Sequence, residues 1–189
     1  KQLFYFQIDN PLATVCDPTL IGHHILAQSE YTLQVIAKQG PEDKVGNVVQ
    51  LNGKTQIIEY SDLPTEAANL RNPDGSLKLW AGSIAVHVFD VEFLCRLAAE
   101  KDALPIHYAR KKVNFVNSDG KVCQPNQPNA IKFEQFIFDL LPAASKTITV
   151  EVDPAIAFAP LKNGHGGKTD TAEHVQQQLM KFHRQMLRD

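Results

Sequence analysis

Apolar residues recur in this chain as short unbroken or alternating runs and at every third or fourth position, with proline, glycine, asparagine or aspartate closing most runs. Leu3 to Ile8 is apolar and aromatic and stops at Asp9-Asn10-Pro11, which predicts a buried strand whose last residues turn out of the sheet. Asp17-Pro18 supplies an N-cap and a first-turn proline, so Thr19 to Ser29 is expected to be a helix with Leu20, Ile21, Ile25 and Leu26 facing inward. Leu33 to Lys38 reads as a strand. Asn47 to Leu51 and Thr55 to Tyr60 read as a hairpin, because Asn52-Gly53 supplies the positive φ angles of a type I′ turn.

Pro64 to Leu70 starts a further helix, and Asn72-Pro73-Asp74-Gly75 ends it in a turn. Ser83 to Phe89 alternates as a strand, and Asp90 caps an amphipathic helix over Val91 to Glu100. A second hairpin is expected from Val113 to Val122, turning at Ser118-Asp119-Gly120. Ala130 to Leu141 sets Phe133, Phe136, Ile137 and Leu140 at helical spacing and predicts a helix. Thr147 to Val152 is the last strand, Gly164-His165-Gly166-Gly167 a flexible loop, and Asp170 to Leu187 a long polar helix. Strands and helices alternate, with two hairpins between them, so the expected class is α/β with a mixed sheet.

Composition narrows the function classes. With 189 residues the chain can bury a real core, and its 43% hydrophobic and 21% charged residues are ordinary for a globular protein. A formal net charge of −2 gives no pull toward nucleic acid or an anionic membrane, and Arg110-Lys111-Lys112 reads as a solvated turn. No apolar stretch reaches the roughly 18 residues of a membrane helix. Lys1 to Phe6 lacks the apolar region and cleavage site of a signal peptide. Cys16, Cys95 and Cys123 are odd in number and widely spaced, the pattern of reduced thiols in a cytoplasmic protein. No nucleic acid and no membrane is therefore expected among its partners.

The histidines lack the spacing of a zinc pair, and no serine has the surroundings of a hydrolase nucleophile. Gly164 to Gly167 lacks the spacing of a dinucleotide-binding loop and does not join a strand directly to a helix. What remains is an ordered series of five segments, each setting a polar group or a glycine beside an apolar run. They are Phe6-Gln7-Ile8-Asp9-Asn10, Gln56-Ile57-Ile58-Glu59-Tyr60-Ser61, Trp80-Ala81-Gly82-Ser83-Ile84-Ala85, Ile131 to Asp139, and Pro160-Leu161-Lys162-Asn163. Open α/β sheets bind ligands where such strands end.

Taken together, these segments resemble the UTP:sugar-1-phosphate uridylyltransferase family of UDP-sugar pyrophosphorylases, nearest the UDP-N-acetylglucosamine pyrophosphorylase branch, over nearly the whole chain. The resemblance implies a GT-A-like, Rossmann-related sheet that binds UTP and a sugar 1-phosphate in one cleft. The family's glycine-rich phosphate loop precedes the segment matched by Gln7 to Asn10 and is absent here. The expectation is that residues 1–189 form the central and C-terminal, sugar-binding part of the catalytic domain. Its partner would be the missing N-terminal, UTP-binding part, without which the fold is incomplete and the chain inactive.

By the same resemblance, Asp9 matches the acid of a Gln-Val-Asp-Asn motif near the metal, implying Mg²⁺ as cofactor, an ion that favours carboxylate and phosphate oxygens. Gly46, Glu59 and Tyr60 match a sugar-binding hairpin, where a glycine amide and a carboxylate meet the sugar. Ser83 stands where the branch usually has asparagine, and a shorter hydroxyl there alters the donor set that touches the sugar. Phe136 and Phe138 match the aromatics that shape an N-acetyl pocket, in a motif whose glycine is Ala130 here. Read from spacing alone, either aromatic is equally a core residue of a helix. Lys162 matches the lysine of a Ser-Pro-Leu-Lys-Asn motif, with Ala159 in place of the serine, and is the implied catalytic cation. Ser83 and Ala130 leave open a UDP-glucose or broader UDP-sugar pyrophosphorylase. A non-catalytic sugar-nucleotide binding module is the alternative from another class, and a ligand-free structural protein leaves the five segments unexplained.

Overall fold

The computed structural model describes residues 1–188. In chain order its first half contains β1 (Gln2–Tyr5), α1 (Pro18–Leu26), β2 (Tyr31–Ala37), β3 (Gly46–Leu51), β4 (Lys54–Ile58), α2 (Thr65–Ala68) and β5 (Ala81–Asp90). The second half adds α3 (Val91–Ala98), β6 (His107–Lys111), β7 (Phe115–Val116), β8 (Val122–Cys123), β9 (Ala130–Glu134), a 3-10 helix (Ile137–Ala143), β10 (Thr147–Glu151), α4 (Pro154–Ala157) and α5 (Ala172–Met186).

The main sheet runs β10-β2-β5-β3-β4, with β10 parallel to β2 and the other pairs antiparallel, so the sheet is mixed. β2 is buried on both faces from Tyr31 to Ile36, which a strand in the middle of a two-sided sheet requires. One edge of β5 pairs with β2 on both sides of residues 84–86. Its other edge is shared: β1 pairs with residues 87–90, ending at Tyr5↔His87, and β3 begins at Gly46↔Ser83. Between these two ladders Ile84, Ala85 and Val86 have no strand beside them, and here the sheet opens.

The same stretch is irregular toward β2. Ser83 pairs with Val35 and His87 with Leu33, so β5 carries three intervening residues where β2 carries only Gln34. The excess of two leaves side chains on their original faces, because strand side chains alternate with period two. Ala85 absorbs the bulge with φ 56°, in the left-handed region that costs a residue with a β-carbon on the order of 1 kcal/mol or more.

Odd-numbered residues of β2 and β5 pack under α3 and the 3-10 helix, where Tyr31, Leu33, Phe89, Phe93, Leu97 and Leu141 form one core. On the opposite face Leu20 of α1 joins Ile36, Ile84, Val86 and Val88. Caps follow the sequence: Asp17 accepts from the Thr19 amide at 2.9 Å and Asp90 from the Glu92 amide at 2.7 Å. The hairpin turn has φ 52° at Asn52 and 76° at Gly53, as its residues require.

Four expectations are corrected. Leu3 to Ile8 is not one buried strand: pairing stops at Tyr5 because β3 occupies the edge ahead, and Ile8 points out, 96% exposed. In α1 only Leu20 of the four apolar residues is fully buried. Its neighbour on that face is His24, whose Nδ1 lies 2.8 Å from Thr32 Oγ1, while Ile25 and Leu26 are exposed. The helix from Pro64 shrinks to the single turn α2.

The fourth correction is the largest. Ala130 to Leu141 is not a helix but strand β9 followed by the 3-10 helix. β9 pairs with β6, a strand the periodicity did not reveal, and Tyr108 faces Phe133 across the ribbon. Both strands project away from the core, so neither shows the alternation that marks a half-buried strand. Beyond them β7 and β8 form the hairpin expected from Val113 to Val122, with φ 77° at Gly120.

Candidate functional site

Asp9, Gly46, Glu59, Tyr60, Ser83, Phe136, Phe138 and Lys162, all eight residues singled out from sequence, line one cleft of about 260 Å³. It lies over the opening beside Ile84, Ala85 and Val86, so the sheet's split edge is what makes room for it.

The sheet forms one wall. Gly46 begins β3 against Ser83, and a β-carbon there would stand 2.6 Å from Ile57 Cγ2 and 3.8 Å from Ser83 Cβ. Only glycine fits without moving Ile57, which is itself buried. The Glu59 carboxylate, just past the end of β4, lies 3.5 Å from that virtual β-carbon. Burial pushes the Glu59 carboxyl above the ordinary carboxylate range and Asp62 adds to the shift, while Lys162 and His107 draw it down. Ser83 Oγ accepts from the Ala85 amide at 3.3 Å, which leaves its hydroxyl proton available as a donor. Tyr60 stands half-exposed at the rim.

One end of the cleft is polar and is tied together by Asn10. Its side chain donates to the Ala157 carbonyl at 2.8 Å and accepts from the Ala159 amide at 3.0 Å, and the Asp9 carbonyl accepts from the Leu161 amide at 2.8 Å. These bonds hold the segment carrying Lys162 against the segment carrying Asp9. Behind Lys162 the chain closes on itself, since the Asp170 carbonyl accepts from the amides of both Lys162 and Asn163. Gly164 to Gly167 thus belongs to a hydrogen-bonded loop, with the Gly167 amide donating to the Gly164 carbonyl. Lys44 and Lys162 line both this cleft and a neighbouring cavity of about 430 Å³.

Among the described residues no cluster of three or more His, Cys, Asp or Glu side chains could hold a metal by itself. Asp9 offers a single carboxylate, with no side-chain hydrogen bond or ion pair among the described residues. That donor set suits Mg²⁺, which commonly takes one or two carboxylates and completes its shell with phosphates and water.

Aromatic rings form the other wall. Phe136 and Phe138 stack with centroids 4.8 Å apart and planes at 10°. His107 packs on Phe136 at 4.9 Å and places Nε2 2.8 Å from Asp139 Oδ2.

Sequence reasoning passed over several lining residues. Lys44 sits in a polar stretch where one more lysine carries no signal; Asn10, buried behind the cleft, carries none either, because its role is to join two distant segments. His87 also borders the cleft; it is fully buried, stacked on Tyr5 at 5.6 Å, and its Nδ1 has no partner among the described residues. Burial lowers its pKa to about 3, so the ring is neutral at physiological pH. A histidine inside a buried strand was the available signal. No helix is long and apolar enough to cross a membrane among the described residues.

The pattern of the UTP–glucose-1-phosphate uridylyltransferase family matches residues 1–185. The UDP-N-acetylglucosamine pyrophosphorylase of Saccharomyces cerevisiae is 36% identical over 193 residues, which covers 100% of this chain and 40% of that protein. The UDP-N-acetylhexosamine pyrophosphorylase-like protein 1 of Homo sapiens is 37% identical over 177 residues, covering 93% of this chain and 35% of that protein. Among solved structures, the uridine diphosphate N-acetylglucosamine pyrophosphorylase of Trypanosoma brucei in complex with an inhibitor aligns with a TM-score of 0.81. Its identity is 26%, over 98% of this chain and 36% of that one. The chain spans less than half the length of each of these relatives.

Proposed function

The chain belongs to the UTP–glucose-1-phosphate uridylyltransferase family, and we propose that it is the sugar-facing part of an enzyme making UDP-N-acetylglucosamine and pyrophosphate from UTP and N-acetylglucosamine 1-phosphate. One observation carries this reading: a carboxylate, a glycine amide, a stacked aromatic pair and a lysine from distant parts of the chain share one cleft. At about 260 Å³ it is smaller than the roughly 300–1,000 Å³ of pockets that enclose a whole drug-sized ligand, and so suits the sugar end of a nucleotide sugar.

In this reading Glu59 accepts hydrogen bonds from sugar hydroxyls, the backbone of Gly46 approaches the ring, and Ser83 donates from the floor. The faces of Phe136 and Phe138 receive the N-acetyl group. A phosphate oxygen of the sugar 1-phosphate attacks the α-phosphorus of UTP; that P–O bond forms as the bond to the bridging β-phosphate oxygen breaks, and pyrophosphate leaves. No protein nucleophile is needed, because the substrate attacks and the protein orients it and offsets charge. The Lys162 ammonium supplies that offset as negative charge is redistributed in the transition state. Asp9 is the residue that would hold Mg²⁺, which supplies further neutralisation of phosphate charge when bound.

Because the chain spans less than half of its relatives, the activity belongs to the whole enzyme, and the 189 residues alone are expected not to turn over UTP. The three cysteines are free thiols, which accords with a reducing compartment, and the proposed location is the cytoplasm. The test is pyrophosphate release by the full-length protein from UTP and Mg²⁺, with N-acetylglucosamine 1-phosphate and glucose 1-phosphate compared. Selective turnover of the acetylated sugar is expected. Preference for glucose 1-phosphate moves the protein to the UDP-glucose branch, and binding of UDP-sugar without turnover makes it a binding module.

A further inference from the structure

The aromatic wall stands on a short turn rather than on the sheet. Phe136 to Asp139 is closed by the Asp139 amide donating to the Phe136 carbonyl at 3.0 Å, and the 3-10 helix that follows is anchored in the core by Leu140 and Leu141. Before the turn lies the β6–β9 ribbon, whose strands, among the described residues, pair only with each other, with His107 opposite Glu134 as the last rung. His107 touches the turn at both ends. Its ring lies 4.9 Å from that of Phe136, and its Nε2 lies 2.8 Å from Asp139 Oδ2. Phe138, between them in sequence, stacks on Phe136 at 4.8 Å.

Among the described residues, the His107–Asp139 contact is the one side-chain hydrogen bond that joins residues 105–134 to the core-anchored 3-10 helix. The Asp139 side chain is 15% exposed and that of His107 36%, so the bond is partly shielded from water. Such a bond is worth making where a wall must keep one shape, because a phenylalanine on an unbraced turn samples several rotamers.

We infer that His107 and Asp139 are positioning residues, a brace that holds the Phe136–Phe138 wall in the geometry that selects the sugar substituent facing it. The inference rests on the functional reading above. His107 acts through Phe136 and needs no contact with the reacting atoms. Losing the brace loosens one wall and leaves Glu59, Gly46 and Lys162 in place. Selection among sugars should therefore suffer before catalysis does.

The test is titration calorimetry of the full-length protein with UDP-N-acetylglucosamine and with UDP-glucose. His107→Ala is expected to weaken the acetylated ligand about tenfold and the other less than about twofold, the size of one lost partly buried hydrogen bond and its packing. His107→Gln, whose amide reaches about as far as Nε2, is expected to restore the preference. Adding Asp139→Ala to His107→Ala should cost little more than the first change alone, since both break the same bond. If His107→Ala does not fold, His107→Asn keeps a polar group that falls short of Asp139 and is expected to shift the ratio the same way. Wild-type preference retained in His107→Ala, or in His107→Asn where it replaces that variant, or both ligands weakened equally, overturns the brace while leaving the enzyme's function standing. A wild-type protein that binds neither ligand overturns the functional reading, and the brace with it.

Discussion

On the sheet side of the cleft, Gly46 and Ser83 are fixed by β-ladders and Glu59 follows directly on β4, whereas Phe136 and Phe138 stand on a turn between a projecting ribbon and a 3-10 helix. A group in a ladder cannot shift without breaking several backbone hydrogen bonds, while a group on a braced turn can be re-aimed by changing one contact. Positions of the first kind suit contacts every substrate must make, and positions of the second suit contacts that tell substrates apart. Lys162 stands outside the ladders but is likewise held by several bonds, because Asn10 and the Asp9 carbonyl bind its segment to the turn that follows β1.

The comparison breaks most readily at Lys162. Lys162→Ala in the full-length enzyme is expected to lower kcat about 100- to 1,000-fold with acetylated and plain sugar phosphates alike, as removal of one charge-stabilising group does. Steady-state pyrophosphate release reads this. A loss confined to one sugar would put the lysine among the selecting residues.

Gly46→Ala comes next. The new β-carbon meets buried Ile57 at 2.6 Å, so overpacking is expected to cost about 1–3 kcal/mol, seen in urea unfolding, and to raise KM for both sugars. Unchanged stability would mean the ladder yields more easily than its geometry implies.

The smallest effect is at Glu59. Burial first, and Asp62 after it, hold this carboxyl above the ordinary range. A group whose pKa is raised on folding gives its full stabilisation below the unfolded pKa and loses it as pH rises through the folded one. At neutral pH the charge is therefore carried at some cost to stability. Glu59→Gln is expected to raise Tm by about 2 °C at pH 7, with the gain fading below the ordinary carboxylate range, while sugar affinity falls. Thermal scans across pH check the sign.

The two walls also differed in how far they could be read from sequence. The sheet wall was legible because Asn52-Gly53 marks its hairpin and a deeply buried strand such as β5 shows its hydrophobicity. The aromatic wall yielded its residues but not its structure. Phe133 and Phe136 are three apart, a helical spacing, yet Phe133 lies on an exposed ribbon and Phe136 faces the cleft. A ribbon that buries neither face leaves no period to detect. The inward face of α1 failed for a related reason: His24, paired with Thr32, took the buried place that hydrophobicity assigned to Ile25. No local pattern announces a sheet edge shared by two collinear strands, although that shared edge creates the cleft.

The most direct test measures kcat/KM of the full-length enzyme for N-acetylglucosamine 1-phosphate and for glucose 1-phosphate, in Lys162→Ala and Phe136→Ala side by side. Division of labour between the walls requires Lys162→Ala to lower both values in proportion, and Phe136→Ala to shrink the acetyl preference by about tenfold with the plain sugar little changed. Both variants lowering both values by the same factor would contradict it.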